Sequence, residues 1–190
     1  IEPLARKTSQ KSFIEIYKNE RAYRKEAPSM WCPQCETAVA QAELEDSEID
    51  STFNDLAFKT SDGGEIIIAT TRPEMLSSCV AIFLHPSDKR KKNLLGKKAI
   101  VPIFGHEVPI LEDLRVDPQK GTGIVMCCTF GDQTDMEWFF AHKLPLRVSF
   151  TPDGKMTELA GKYSGKKIKD ARKEIIAELK ESAALRNQKP

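Results

Sequence analysis

Gly121-Thr122-Gly123-Ile124-Val125-Met126-Cys127-Cys128-Thr129-Phe130-Gly131-Asp132-Gln133-Thr134-Asp135-Met136-Glu137-Trp138 is the stretch whose reading decides the fold. A glycine-flanked turn feeds a short apolar run that reads as a buried strand, and the strand stops at Gly131. From Met136, apolar residues recur at Phe139, Phe140 and Leu144, the spacing of a helix with one face on a core. The order is therefore strand, tight turn, helix, with Asp132 and Asp135 at the helix head. Such a junction points backbone N–H groups and the positive end of the helix dipole at whatever lies above the strand's end. The two acids add anionic acceptors, which suits a ligand carrying both an ammonium and a polar group. The same spacing also describes an Asp N-cap with its capping-box partner, the commoner use of such a pair.

The same pattern of short strands extends upstream. Phe53, Leu56 and Phe58 precede a turn at Ser61-Asp62-Gly63-Gly64, and Glu65 to Thr70 follows, so the two runs predict a hairpin. Thr70-Thr71-Arg72-Pro73-Glu74 comes next. Its Pro fixes a turn or helix start and leaves two hydroxyls and a guanidinium at the strand's end, able to hold an oxyanion or a nucleic-acid backbone. Thr71 as an N-cap with Glu74 three residues on is the competing local reading. Cys79 to Leu84 predicts a buried strand. His85 before Pro86 closes a turn rather than catalysing, because no nucleophile lies near it in sequence. Ala99–Ile103 and Glu107–Leu111 form a second hairpin candidate, Leu146–Phe150 a further strand, and residues 165–181 an amphipathic helix presenting Ile168, Ala171, Ile175, Ile176 and Leu179. Residues 8–25 predict a weakly amphipathic helix, Ala38 to Glu45 a strand or extended linker, and the acids from Glu43 to Asp50 a solvated face. Six or seven short strands, with connections too short for a regular parallel sheet, predict a mixed α/β fold: a β-barrel decorated by peripheral helices.

Composition narrows the function classes. The chain has 190 residues with a formal net charge of +1, 40% hydrophobic and 30% charged. That charge excludes binding RNA by bulk electrostatics alone, so any nucleic-acid contact is local. Lys89-Arg90-Lys91-Lys92 with Lys97 and Lys98 could touch phosphates, although a solvated surface is the commoner case. No apolar run is long enough to cross a bilayer, no secretory signal is read, and five cysteines without a paired framework suit a reducing cytoplasm. Cys79, Cys127 and Cys128 read as core residues. Cys32 and Cys35, in Trp31-Cys32-Pro33-Gln34-Cys35, have the spacing of half a zinc site, which needs four ligands. Opening on Ile1 and closing on Pro190, the chain reads as a piece of something longer.

Thr70-Thr71-Arg72-Pro73-Glu74, the Gly121-Thr122-Gly123 turn and Gly131-Asp132-Gln133-Thr134-Asp135, in that order and spacing, resemble the editing domains inserted into class I aminoacyl-tRNA synthetases. Within that group the chain looks like the valyl type, and the archaeal form of it. Arg72-Pro73-Glu74 stands where the isoleucyl pattern has Thr-Pro-Trp, and Cys128-Thr129-Phe130-Gly131 where leucyl enzymes carry Pro-Ala-His. Val108-Pro109-Ile110-Leu111 and Val116-Asp117-Pro118 agree.

The resemblance implies hydrolysis of the ester in mischarged threonyl-tRNA for valine, sparing valyl-tRNA. Valine and threonine are nearly isosteric, so a synthetic site made for valine rejects threonine poorly and a second site must select the hydroxyl. By motif, Asp135, Thr70 and Thr71 would form the catalytic set. Asp135 would bind the α-ammonium and Asp132 the threonine hydroxyl, while Thr70, Thr71 and Arg72 would hold the terminal adenosine and the ester. Where the bacterial valyl pattern has Phe, Lys and Thr, this chain has Lys120, Met126 and Cys128. That shifts the reading of the hydroxyl to Asp132 or Thr129 and keeps a leucyl- or isoleucyl-type substrate as an alternative.

The family implies a layout of 1–47 as linker helix and half zinc knuckle, 48–182 as editing domain and 183–190 as outgoing linker. It implies no cofactor for editing, zinc through Cys32 and Cys35 only with ligands from elsewhere, and ATP only in a separate synthetic domain. The partners would be a charged tRNA end and the rest of a synthetase, with no membrane, and the fragment itself monomeric. A non-catalytic tRNA-docking module is the reading from another class.

Overall fold

A computed structural model describes residues 2–24, 27–45, 47, 48 and 50–189. The elements run α1 (Pro3–Lys18), β1 (Trp31–Cys32), β2 (Thr37–Ala38), β3 (Phe53–Thr60), β4 (Glu65–Thr70), a 3-10 turn (Pro73–Ser78), β5 (Ala81–Leu84), α2 (Lys91–Leu94), β6 (Lys98–Ile100), β7 (Glu107–Glu112), β8 (Ile124–Cys127), α3 (Gln133–His142), a 3-10 segment (Glu158–Tyr163), α4 (Ile168–Glu181) and β9 (Leu185–Lys189).

The first hairpin forms because Gly63, at φ +86°, turns the chain where a Cβ would be strained. The Thr60 N–H donates to the Gly64 carbonyl across 2.9 Å, closing the loop. In β4, Ile66 and Ile68 alternate inward with less buried neighbours, the period-two pattern of a half-covered strand. The seven-stranded sheet has the order β4-β3-β6-β7-β5-β8, with β9 on β3. β5 pairs parallel to β7 and antiparallel to β8. The ends of this path come back together at the turn before β8. There the Thr122 hydroxyl donates to the Ile67 carbonyl of β4 across 2.7 Å, so the sheet curls into a nearly closed barrel.

β5 is buried along its whole length and divides the interior in two. Ile82 and Leu84 point into the main core with Leu56, Phe58, Ile68, Ile110 and Ile124, which the α4 residues Ala171, Ile175 and Leu179 cap. Ala81 and Phe83 point the other way, into a smaller core with Val116, Cys127, Trp138 and Leu144 beneath α3. Phe83 and Trp138 stack with centroids 4.5 Å apart, which seats α3 on the barrel.

The expected mixed α/β barrel with peripheral helices is what the chain adopts, and both predicted hairpins form. Four local readings change. Residues 146–150 are extended but form only the bridge from Phe150 to Met156. Two of their backbone groups pair with side chains, the Arg147 N–H donating to the Thr129 hydroxyl and the Thr157 hydroxyl to the Val148 carbonyl, while the Ser149 carbonyl accepts the Thr157 N–H.

The tail read as an outgoing linker, 183–190, contains β9 in antiparallel register with β3, Asn54 opposite Gln188. β6 covers only Lys59 and Thr60 of β3, so the ladder groups of its first half were open for another strand. The first helix is α1, ending at Lys18 rather than running to residue 25, and it buries no residue. The Ala38–Glu45 stretch holds only the end of β2 and a 3-10 turn at Gln41–Glu43. Ile1, Lys25, Asp46 and Pro190, on which parts of these readings fall, lie outside the described residues.

Because Phe83 is fully buried and carries the α3 contact, Phe83→Ala is expected to cost about 3–5 kcal/mol. Urea unfolding followed by tryptophan fluorescence measures it.

Candidate active site

Three turns converge above the barrel: the end of β4 with Thr70-Thr71-Arg72, the Lys120-Gly121 turn before β8, and the Gly131-Asp132 corner into α3. They enclose a cavity of about 440 Å³. Of the residues expected at a site, Thr70, Thr71, Arg72, Lys120, Met126, Cys128, Asp132 and Asp135 all line it. Thr129 does not. Its backbone is strained at φ +41° and its buried hydroxyl faces behind the site, bonded to the Ser78 carbonyl and the Arg147 N–H. Cys32 and Cys35 lie on the separate knuckle, where the Trp31 indole N–H donates to the Pro152 carbonyl.

The helix head combines the two uses of its acids. Asp132 caps α3, accepting the Asp135 N–H at 2.8 Å. Asp135 does not return the bond. Only 6% exposed, it turns back to the strand end and accepts the Cys128 N–H at 3.2 Å. Gly131 makes room for this, since a Cβ there would lie 2.3 Å from Asp135 Oδ2. Burial first, then the Asp132 charge, pushes the Asp135 carboxyl up to about 6, against the pull of the Cys128, Cys127 and Gly131 groups. Asp135 is therefore a carboxylate at neutral pH, poorly solvated and short of a cation. Its contribution to folding is full below the ordinary carboxylate value and is lost as pH rises through about 6. An ammonium bound beside it would reverse that loss.

Across the cavity, the Thr70 hydroxyl accepts the Arg72 N–H at 3.1 Å. The Arg72 guanidinium donates through Nη1 to the Gly131 carbonyl at 2.8 Å, tying the two corners together. Glu74 is not the partner of a Thr71 cap. Arg72 itself begins the 3-10 turn without a side-chain cap, and Glu74, fully buried, takes a two-point ion pair from Arg172 of α4. Sequence reading missed that role because Arg172 lies 98 residues away.

Other candidates add no nucleophile, base or metal site to the cavity. Among the described residues no histidine lines it. His85 bonds Ser87, His106 the Cys79 carbonyl and His142 the Asp113 carboxylate. Partial burial works to raise Asp113, but Arg115 and His142 hold it well below the usual carboxylate range. Burial pushes the Cys127 and Cys128 thiols far up, so neither is a thiolate nucleophile. In the basic stretch Arg90, Lys91, Lys97 and Lys98 are neutralised by Asp88, Glu112, Asp62 and Glu107. Cys32 and Cys35 form a knuckle in which the Cys35 N–H donates to the Cys32 sulfur at 3.4 Å, and hydrogen bonds from the Cys35 and Gln34 backbone lower the Cys32 thiol. Among the described residues no cluster of three His, Cys, Asp or Glu could hold a metal.

Comparison with known proteins places this geometry. The Agrobacterium radiobacter LeuRS, solved as a ternary complex with tRNA and LeuAMS, matches 73% of the chain with a TM-score of 0.58 at 20% identity, through 20% of its own length. The barrel thus shares its fold with a segment of that LeuRS. No family model matches the chain.

Sequence relatives are closer. Valine-tRNA ligases of Haloarcula marismortui and Methanocaldococcus jannaschii are 47% and 48% identical over 97% of the chain, and that of Rickettsia rickettsii 50% over 99%. Along nearly its whole length the chain is similar to one segment of these valine-tRNA ligases, and it spans about a fifth of its relatives' length, 21% to 23%. Among the described residues no helix is long and apolar enough to cross a membrane.

Asp132→Asn keeps a capping oxygen but removes the charge that raises Asp135. NMR titration of the Asp135 carboxyl carbon should find its midpoint below that of the unmodified protein.

Proposed function

We propose that this cavity hydrolyses the ester of threonyl-tRNA mischarged on the valine tRNA, after transfer of the amino acid. The observation that carries the reading is the buried, cation-deficient Asp135 carboxylate facing the Thr70-Thr71-Arg72 corner across one cavity. The valine-tRNA ligase relatives support the amino-acid assignment.

Asp135 takes the α-ammonium, where the two charges meet in a poorly solvated site and each is worth more than in water. The free oxygen of Asp132 accepts the threonine hydroxyl, its other oxygen being committed to the helix cap. Thr71, Arg72 and Lys120 face the ribose and phosphate of the terminal nucleotide. Thr70, whose hydroxyl already accepts the Arg72 N–H, keeps its proton to donate to the ester. A water attacks the ester carbonyl, the C–O bond to the ribose breaks, and the proton lost by the water ends on the departing ribose oxygen. The binding energy at Asp135 and the nucleotide corner holds the carbonyl for attack.

Valine presents a methyl to Asp132 and leaves its carboxylate without that partner, a loss of roughly 1–3 kcal/mol once the substrate covers the site. Met126 and Cys128 give the pocket an apolar wall, so Asp132 is the group that reads the hydroxyl.

No cofactor enters this chemistry. Cys32 and Cys35 fit half a zinc site and would hold the metal as thiolates together with two ligands from outside this segment. A tRNA and the remainder of a cytoplasmic synthetase are the partners this reading requires.

The test is hydrolysis of threonyl-tRNA against valyl-tRNA, with tRNA binding measured in parallel. Threonyl-tRNA should be cut and valyl-tRNA spared. Asp135→Asn should lose at least about a hundredfold in kcat/KM, on the scale of a lost preorganised charge, while its melting temperature holds or rises. Binding without cleavage by the unmodified protein would leave a docking module instead. As pH falls through about 6, Asp135 is protonated and kcat/KM should drop.

A further inference from the structure

We propose that Glu74, held from behind by Arg172 of α4, is a positioning residue for this site: it orients Arg72 so that the guanidinium fixes the Gly131 carbonyl and seats Asp135. The inference rests on the reading of the cavity as an ester-hydrolysing centre and concerns residues outside its substrate-contacting set.

A fully buried carboxylate persists only when it is paired and hydrogen-bonded. Glu74 satisfies this with a fork from Arg172, Nε to Oε2 at 2.8 Å and Nη2 to Oε1 at 2.5 Å. The same Oε1 lies 3.6 Å from Arg72 Nε. Arg72 is thus divided between two duties. Its Nε leans on Glu74, and its Nη1 reaches the Gly131 carbonyl at 2.8 Å. Gly131 in turn packs its backbone against the Asp135 carboxylate closely enough to exclude any side chain.

The chain of contacts Arg172, Glu74, Arg72, Gly131, Asp135 runs from an outer helix to the acid that meets the substrate. Neither Glu74 nor Arg172 lines the cavity. Arg172 supplies most of what Glu74 needs, leaving Arg72 only loosely drawn and free to hold the Gly131 turn. Without Arg172, the buried carboxylate keeps a single cation, and Arg72 swings onto it and releases the turn. A lysine at position 172 restores the charge but not the two-point fork, so it restores the arrangement only in part.

Arg172→Gln and Arg172→Lys in the full-length protein test this. For Arg172→Gln, kcat/KM on threonyl-tRNA should fall about tenfold or more, as for a misplaced reacting geometry. The Asp135 carboxyl midpoint, read by NMR without substrate, should move upward as the Gly131 and Cys128 N–H groups draw away. Arg172→Lys should fall between the two in both readouts. A tie that merely holds α4 down would lower the melting temperature and leave kcat/KM and the Asp135 midpoint of the folded protein unchanged, and that result overturns the proposal. If Arg172→Gln does not fold, the midpoint in Arg172→Lys decides: a rise supports the proposal and no change refutes it. If the unmodified protein cuts no ester, the proposed function fails, and the midpoint shift alone still decides whether this linkage exists.

Discussion

One hydrogen bond, from Arg72 Nη1 to the Gly131 carbonyl, joins two corners 59 residues apart in sequence. On one side stands the Thr-Thr-Arg end of β4, on the other the glycine turn into α3. The bond sets the two corners on either side of one cavity, and the Cys128 N–H holds the Asp135 carboxylate at its wall. That carboxylate is short of solvent and of cations, and the proposed ammonium site rests on that deficit.

The barrel makes the arrangement reproducible by placing rigid strands under each corner. β5 is the central device, because it has an apolar core on both faces and fixes the main barrel and α3 to each other. The Thr122 hydroxyl on the Ile67 carbonyl then holds the third wall, the turn before β8, against β4. Loops carry the functional groups, and the packed strands carry the precision.

Much of this was legible from residue order alone. The Gly63 turn and the alternating isoleucines of β4 announce a hairpin through turn chemistry and period-two burial, both local signals. Asp132 and Asp135 announce a helix head by their spacing, and the motif resemblance placed them with Thr70, Thr71 and Arg72. What stayed illegible depends on contacts distant in sequence. The polar residues of β9 carry no alternating apolar signal, and they form a strand only because the first half of β3 offers unpaired ladder groups. Glu74 looks like an ordinary first-turn acid until Arg172 folds against it. Thr129, the alternative to Asp132 for reading the hydroxyl, has a positive φ and bonds its hydroxyl behind the wall.

Pairing between β3 and β9 sets Phe53 opposite Lys189, so the backbone enters and leaves the barrel through neighbouring strands. Strand neighbours lie about 5 Å apart, and a polypeptide interrupted there would find its severed ends almost touching. The entropy cost of holding such ends together is small, because it is already met by the ladder that binds them.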